Sequence, residues 1–343
     1  MAVPLNCKKN ISDCNFKELC DSESHSPPPA PSVWNVSTSG LRREVRCCPG
    51  QCQRCPCLSG GAATEFPPLR GVILFIHGIN EHSARYFHVF EDLAEMGFGV
   101  VAYDLRSHGK THMDIAKLRG HVEAFENMIN DTNDFITFAK DEIYAKMDAS
   151  ASLPFIVMGF SMGTLVTIHT MLSEQHQIDG LVLCGPCVAM KPMLRGLSAV
   201  GNLFVPLMPT VRSVPAVDER WVCRDELVGK DYDADPLTVR AKITGLMGKA
   251  LGDHMNKLRK IKSFDDPMSA FCRTPVLMLM GTLDRVCYRP GAKMFYERIA
   301  NTDKQFIDFD GTYHVLFEDF ARQQVMDSIQ QWLHERFPPV AAP

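Results

Sequence analysis

The stretch Phe155-Ile-Val-Met-Gly-Phe-Ser161-Met-Gly-Thr-Leu-Val-Thr-Ile168 joins an apolar run of strand length to a segment of helical length. At the junction stands Gly159-Phe-Ser-Met-Gly163, a Gly-x-Ser-x-Gly pattern. A sharp strand-to-helix turn strains the backbone of such a serine, and only glycines beside it avoid the neighbouring strand and helix. The stretch therefore predicts a sheet with the Ser161 hydroxyl exposed as a nucleophile at its carboxyl edge.

Apolar runs of strand length recur along the chain, and helix-like segments separate most of them. Uninterrupted hydrophobicity is typical of a parallel sheet that is covered on both faces. Alternating strands and helices predict a mostly parallel, doubly wound α/β sheet with right-handed crossovers. The predicted strands are Val72–Ile76, Val100–Tyr103, Phe155–Met158, Gly180–Cys184, Pro275–Met280 and Phe306–Phe309. The predicted helices are Ala84–Glu95, Glu123–Tyr144, Met162–Ser173 and Glu318–Arg336.

A serine hydroxyl needs a base to remove its proton, and the base is an imidazole oriented by a carboxylate. With a nucleophile on this kind of turn, the acid and then the histidine follow the serine in the chain. Asp284 follows the strand that ends near Met280, and His314 follows the strand that ends near Phe309. Since these loops lie at the same sheet edge as Ser161, we predict a triad of Ser161, Asp284 and His314.

Two backbone N–H groups must stabilise the negative oxygen of the tetrahedral intermediate. One comes from the residue after the nucleophile, here Met162, and the other from the loop after the first buried strand. That loop reads His77-Gly-Ile-Asn-Glu81, and Ile79 is the candidate donor in it. The alternative interpretation is a simple strand-ending turn with a structural histidine.

The alternation of strands and helices stops after Leu183 and resumes at Pro275. Residues 185–267 between them are rich in Met, Leu and Gly, and are predicted to be an inserted helical lid with helices at Lys191–Phe204 and Leu237–Lys262. The expected domain division is a disordered tail (1–32), the first part of the core (33–184), the lid (185–267) and the second part of the core (268–343).

The composition is that of an ordinary globular protein, with 45% hydrophobic and 22% charged residues. A formal net charge of −4 gives no basic field for a polyanion, so nucleic acid is excluded as a partner. No apolar stretch reaches the roughly 18 residues that a spanning helix requires, and the N-terminus lacks a secretory signal. We therefore expect a cytoplasmic protein.

The N-terminal region is unusual in its cysteines, since eight of the 13 lie within the first 57 residues. A short hairpin is predicted from Trp34 to Arg46. It is followed by a cysteine-rich loop at 47–70 that includes Cys47-Cys-Pro-Gly-Gln-Cys52-Gln-Arg-Cys55-Pro-Cys57. Three interpretations of the loop stay open. They are a zinc site, which lacks a second ligand pair, reversible S-acylation that would anchor the chain to a membrane, and an inert or redox-active exposed loop.

From Trp34 to Phe337 the chain resembles the monoacylglycerol lipase and lysophospholipase branch of the α/β-hydrolases. Besides the turn at Ser161, the motifs that carry the resemblance are His77-Gly-Ile-Asn-Glu-His-Ser-Ala-Arg-Tyr86, Tyr103-Asp-Leu-Arg-Ser-His-Gly109, Asp235-Pro-Leu237 and Gly311-Thr-Tyr-His-Val-Leu316. The resemblance implies the α/β-hydrolase fold, with a lid whose apolar inner face covers an acyl tunnel.

The resemblance also implies a polar end of the site, where Glu81 and Arg85 would hold the glycerol. A structural ion pair is the alternative for these two residues. The chain departs from the family at Phe160, where the family often has histidine, and at Phe317, where some monoacylglycerol lipases carry a second histidine near the glycerol. The apolar ring of Phe317 favours a broader choice of head group.

The expected function is hydrolysis of a long-chain monoacylglycerol to fatty acid and glycerol through an acyl-enzyme on Ser161, with no cofactor and no metal. The alternatives are a lysophospholipase or broad lipid esterase, and an acyltransferase that uses the same triad. A lipid is the expected partner, together with a peripheral membrane contact through the lid and S-acylated cysteines.

Overall fold

A computed structural model of the chain describes residues 69–141, 153–191, 205–214, 221–240 and 242–339. Six parallel strands form its main sheet in the order β2-β1-β3-β4-β7-β8, and β5 pairs with β6 in a separate antiparallel pair. From β1 the chain adds β2 on one side and β3 on the other, which makes the sheet doubly wound. The strands are β1 (Gly71–Ile76), β2 (Phe98–Ala102), β3 (Phe155–Phe160), β4 (Gly180–Cys184), β5 (Arg212–Val214), β6 (Ile243–Thr244), β7 (Val276–Gly281) and β8 (Lys304–Phe309).

The apolar strands serve two cores, one on each face of the sheet. In β1, Val72, Leu74 and Ile76 belong to one core, whereas Ile73 and Phe75 belong to the other. Since successive side chains of a strand point to opposite faces, a strand that is covered twice must be apolar throughout. This explains why the strands read as unbroken hydrophobic runs.

The helices cover both faces of the sheet. Those described are α1 (Phe87–Glu95), α2 (Phe125–Ala139), α3 (Met162–Leu172), α4 (Glu226–Ala234), α5 (Gly245–Leu258), α6 (Ala270–Arg273), α7 (Arg289–Arg298) and α8 (Arg322–Arg336). The apolar residues of α2, α3 and α7 pack in one core, and those of α1 and α8 pack in the other. The layers thus leave the carboxyl edge of the sheet open, where the loops after β1, β3, β7 and β8 meet.

All six predicted strands are confirmed, with ends that shift by one or two residues. The predicted helix Leu237–Lys262 is wrong over its first part, because Ile243 and Thr244 form β6 and the helix begins only at Gly245. The hydroxyl of Thr244 caps that helix by accepting a hydrogen bond from the Met247 N–H. Residues before Thr244 instead contact the loop after β1, and this tertiary contact overrides the apolar pattern.

Several predictions fall on residues that the structure does not describe. These are the N-terminal tail, the hairpin at 34–46, the cysteine-rich loop up to residue 68 and nearly all of the predicted helix Lys191–Phe204. Across the described ranges, no helix is both long and apolar enough to span a membrane.

Candidate active site

The turn between β3 and α3 holds Ser161 at a φ of 52° and a ψ of −120°, a conformation that residues with a side chain rarely adopt. A Cβ atom on Gly159 would lie 2.6 Å from Thr167 Oγ1, and one on Gly163 would collide with the carbonyl oxygens of Ile76 and His77. The two glycines therefore let α3 pack directly against the sheet. The sequence pattern is explained by this close approach.

His314 lies within hydrogen-bonding distance of both other predicted triad residues, Ser161 and Asp284. Ser161 Oγ is 2.9 Å from His314 Nε2, and His314 Nδ1 is 2.7 Å from Asp284 Oδ2. With these two contacts, His314 Nε2 can accept the serine proton while Nδ1 donates a hydrogen bond to the Asp284 carboxylate. Since Ser161 and His314 are both buried, little water competes for these bonds.

The backbone fixes the carboxylate that faces the imidazole. Asp284 Oδ1 accepts hydrogen bonds from the N–H groups of Val286 (2.8 Å) and Cys287 (2.9 Å), which leaves Oδ2 for His314. The ring of Phe160 packs against the imidazole, with 5.0 Å between the ring centres. Both contacts limit the ways in which the imidazole can turn.

The loop from His77 to Arg85, named here the β1–α1 loop, is held by a buried carboxylate. Glu81 Oε1 accepts a hydrogen bond from the Gly78 N–H at 2.5 Å, and the Tyr86 hydroxyl lies 2.9 Å from both Glu81 oxygens. Burial raises the pKa of Glu81. The Glu81 carboxylate, which the sequence assigned to the substrate, is therefore already engaged in shaping the loop that carries Ile79.

Arg85 lies close to three carboxylates. Its guanidinium is 3.4 Å from Asp231, 3.6 Å from Asp235 and 3.7 Å from Glu318, and its side chain is only 5% exposed. Burial alone would lower the pKa of Arg85, but Glu318 and Glu81 outweigh it and the pKa is raised. The charge of Arg85 is thus balanced by the protein itself, through Asp231, Asp235 and Glu318. Among the described ion pairs none joins Arg85 to Glu81, and contact of Arg85 with the glycerol stays a prediction.

A cleft with an empty volume of about 730 Å³, counted to its open mouth, leads to the nucleophile. Ser161, His314, Ile79, Glu81 and Arg85 all line it. Met162 is buried as the first residue of α3, directly after the nucleophile. The rest of the lining comes largely from the inserted segment, as expected of a lid, and from the loop after β8: Val222, Val228, Gly229, Tyr232, Val239, Arg240, Val315 and Glu318.

The structure places Phe317 away from this cleft. Its ring is fully buried and packs edge-on against Phe75, Tyr86 and Phe160 in the core between the sheet, α1 and α8. It does not line the cleft. The hypothesis that the apolar ring of Phe317 broadens the choice of head group is therefore not supported by the position of this residue.

Cys287 is a neighbour of the triad that the sequence analysis did not single out. The Cys287 thiol interacts with the Cys187 thiol and with the Ser161 hydroxyl. The hydrogen bond with Cys187, together with burial, raises the pKa of Cys287 well above its usual value. Among the described residues, Asp284, Cys287 and His314 form a group whose ligand atoms lie within 4.8 Å of one another, as a metal would require. Two of the three are already hydrogen-bonded to each other.

Comparison with known proteins gives a consistent picture. A family model described as Hydrolase_4, "Serine aminopeptidase, S33", matches residues 67–320. The monoacylglycerol lipase of Mycolicibacterium smegmatis is 27% identical over 271 residues, which cover 77% of this chain and 88% of that protein. An uncharacterized abhydrolase domain-containing protein of Dictyostelium discoideum is also 27% identical, over 267 residues, and this chain spans only 26% of its length.

The fold of this chain is similar to that of solved structures. The crystal structure of Paleococcus ferrophilus monoacylglycerol lipase matches with a TM-score of 0.65 and 27% identity, over 79% of this chain and 96% of that one. The predicted α/β-hydrolase fold is thereby confirmed.

Proposed function

The chain belongs to the Hydrolase_4 family, in the monoacylglycerol lipase branch of the α/β-hydrolases, and from this premise we propose that it hydrolyses monoacylglycerol to fatty acid and glycerol. It is a serine hydrolase that acts on carboxylic esters of lipids. The observation that carries the proposal is the chain of hydrogen bonds from Ser161 through His314 to Asp284 at the end of a cleft.

The proposed reaction has two halves. His314 Nε2 takes the proton of Ser161 as its Oγ attacks the ester carbon, and the N–H groups of Ile79 and Met162 stabilise the resulting oxyanion. The imidazolium, stabilised by Asp284, then gives its proton to the departing glycerol oxygen. Water then attacks the acyl carbon while His314 takes its proton, and His314 returns that proton to Ser161 Oγ as the fatty acid leaves. Each step uses only groups of the chain, the ester and water, so the proposal includes no cofactor.

The charges at the cleft favour a neutral head group. Glu318 lines the cleft beside Arg85, and Asp231 and Asp235 lie within 3.6 Å of the same guanidinium, so a phosphorylated head group would meet a cation whose charge the protein already balances. Repulsion between a phosphate and these carboxylates raises the free energy of binding. Glycerol hydroxyls carry no charge and can both donate and accept hydrogen bonds. This supports a monoacylglycerol over a lysophospholipid.

We also propose that the inserted residues 185–267 form a lid between the two parts of the core, 33–184 and 268–343. Leu207, Met208 and Val211, within this insert, are exposed apolar side chains. Exposed apolar groups on a lipid-cleaving protein are suited to contact with an aggregated lipid or a membrane surface. S-acylation of the cysteine-rich loop would add to such a contact.

The test is a panel of substrates with one acyl chain and different leaving groups. We expect the purified protein to cleave a monoacylglycerol with a higher kcat/KM than the matching lysophosphatidylcholine, lysophosphatidic acid or methyl ester. A kcat/KM that is as high for the lysophospholipids would instead support a lysophospholipase. A second assay, with an alcohol added as acyl acceptor, tests the acyltransferase alternative. An acyltransferase would form more new ester than free fatty acid in this assay.

A further inference from the structure

Asn80 adopts an unfavourable backbone conformation next to the proposed oxyanion donor. Its φ is 64°, in the left-handed region that favours glycine. Among residues with a side chain, asparagine adopts this region most readily, and contacts with its backbone then select it over the other conformations of the loop. Because Asn80 directly follows Ile79, whatever holds its backbone also fixes the orientation of the peptide groups around Ile79.

The contacts that hold Asn80 come from the inserted segment. The Asn80 carbonyl oxygen accepts hydrogen bonds from the Tyr232 hydroxyl at 2.7 Å and from the Val239 N–H at 2.9 Å. The Thr238 hydroxyl donates to the Tyr232 carbonyl at 2.6 Å and so closes the segment Tyr232–Val239 on itself. The Asn80 carbonyl in the β1–α1 loop is thus hydrogen-bonded to both ends of Tyr232–Val239.

The other side of Ile79 is fixed from within the loop. There the Gly78 N–H donates to Glu81, as described above. Ile79 therefore lies between two anchored peptide groups, of which the first depends on a buried carboxylate and the second on the inserted segment. Releasing either anchor would give the Ile79 N–H more freedom to turn away from Ser161.

Two further contacts join the same pair of segments. His82 Nε2 lies 2.7 Å from Asp235 Oδ2, and the guanidinium of Arg85 lies over the Tyr232 ring, 5.1 Å from its centre. The inserted segment and the β1–α1 loop are thus joined at three positions along the loop. Tyr232 takes part in two of them, through its hydroxyl and through its ring.

We propose that Tyr232 is a positioning residue for acyl transfer, whose hydroxyl holds the Asn80 carbonyl so that the Ile79 N–H faces the oxyanion formed at Ser161. The inference rests on the proposed function, in which Ile79 is an oxyanion donor. It makes the inserted segment part of the catalytic apparatus as well as a cover over the cleft. A misplaced oxyanion donor slows the chemical step and leaves ground-state binding of the ester nearly unchanged.

The test is Tyr232→Phe, which removes the hydroxyl but keeps the ring beside Arg85. We measure kcat and KM with a p-nitrophenyl ester and, separately, the rate at which a fluorophosphonate inactivates the protein, because its phosphoryl oxygen occupies the same oxyanion site. We expect kcat and the inactivation rate each to fall about tenfold, the size of effect that one lost hydrogen bond produces. KM should change by less than about twofold.

The matched control is Tyr296→Phe, which removes a hydroxyl that donates to the Lys304 carbonyl at 3.2 Å and does not line the cleft. It should keep both rates. The inference is overturned if Tyr232→Phe keeps both rates, raises KM alone, or loses activity only in proportion to a loss of folded protein measured by thermal unfolding. Wild-type protein that no fluorophosphonate labels would overturn the proposed function, and the inference with it.

Discussion

The imidazole of His314 donates to one oxygen of Asp284 at 2.7 Å, while the other oxygen of that carboxylate accepts two backbone N–H groups. The carboxylate is thus fixed by the loop after β7 and in turn fixes the tautomer of the base. This relation gives the acid of the proposed triad a role that substitution can test.

Asp284→Asn should lower kcat by up to about 10⁴-fold, because an amide that donates to Nδ1 selects the wrong tautomer of His314. The measurement is steady-state hydrolysis of a p-nitrophenyl ester, with circular dichroism as a check on folding. Asp310→Asn is the matched control, since Asp310 follows β8 and its carboxylate accepts a hydrogen bond from the Thr282 hydroxyl, outside the triad. Near-normal turnover of Asp284→Asn would move the acid elsewhere.

Ser161→Ala should abolish covalent labelling by a fluorophosphonate and reduce esterase activity at least about a thousandfold, because the oxyanion donors and the cleft alone remain. The reduction should come without a fall in thermal stability, since alanine removes only a hydroxyl. Labelling is read by intact-mass spectrometry. A labelled Ser161→Ala protein would show that another residue is the nucleophile.

Arg85→Ala should lower kcat/KM for a monoacylglycerol by roughly 5- to 150-fold if its guanidinium contacts the glycerol end, which is the range for losing a buried polar partner. A methyl ester of the same fatty acid should be nearly unaffected. Arg289→Ala serves as the control, because Arg289 pairs with Asp308 at 2.7 Å outside the cleft. An equal loss on both esters would leave Arg85 with a purely structural role between Asp231, Asp235 and Glu318.

Gly163→Ala should destabilise the fold by about 1–3 kcal/mol and reduce activity, because its Cβ would lie 2.7 Å from the His77 carbonyl oxygen and closer still to that of Ile76. Urea unfolding measures the change. Gly229→Ala in α4 is the matched control, since a Cβ there meets no atom within 4 Å. That control should be neutral or should stabilise by up to about 1 kcal/mol through helix propensity. Equal stability of the two variants would contradict the close packing of α3 on β1.

Acid should destabilise the protein through buried neutral histidines. Burial lowers the pKa of His77 to about 3 and that of His108 to about 4, although Asp104 opposes the shift in both. At pH 5 the unfolded chain binds protons at these positions and the folded chain does not, so stability is fully present above a pH of about 6.5 and falls as the pH drops. Each histidine contributes about 2 kcal/mol to the difference between pH 7 and pH 5.

The check on this prediction is urea unfolding at the two pH values. His108→Gln, which keeps a polar group but cannot titrate, should reduce the fall in stability by about 2 kcal/mol. His334→Gln is a control near the C-terminus, on the exposed side of α8. If His108→Gln and wild type lose the same stability, then His108 is not held neutral by the fold.

The sequence was sufficient for the sheet and for the three residues that meet at its edge. Unbroken apolar runs separated by helical segments require a sheet covered on both faces, and parallel strands bring all their carboxyl ends to one edge. The loops after β3, β7 and β8 therefore meet whatever the intervening residues are. For this reason Ser161, Asp284 and His314 could be chosen from their strand context alone.

Only the tertiary structure decided what surrounds that edge. The bond from Tyr232 to Asn80 joins residues 152 positions apart, and no local pattern records such a pairing. The resemblance assigned Glu81 to the glycerol, and the fold shows in addition that Glu81 accepts a hydrogen bond from the Gly78 N–H. The resemblance also marked Phe317 as a position near the glycerol, and the fold places its ring in the core. Local spacing determines which face or loop a side chain occupies, whereas its partners depend on how distant segments pack, and packing is a property of the whole folded chain.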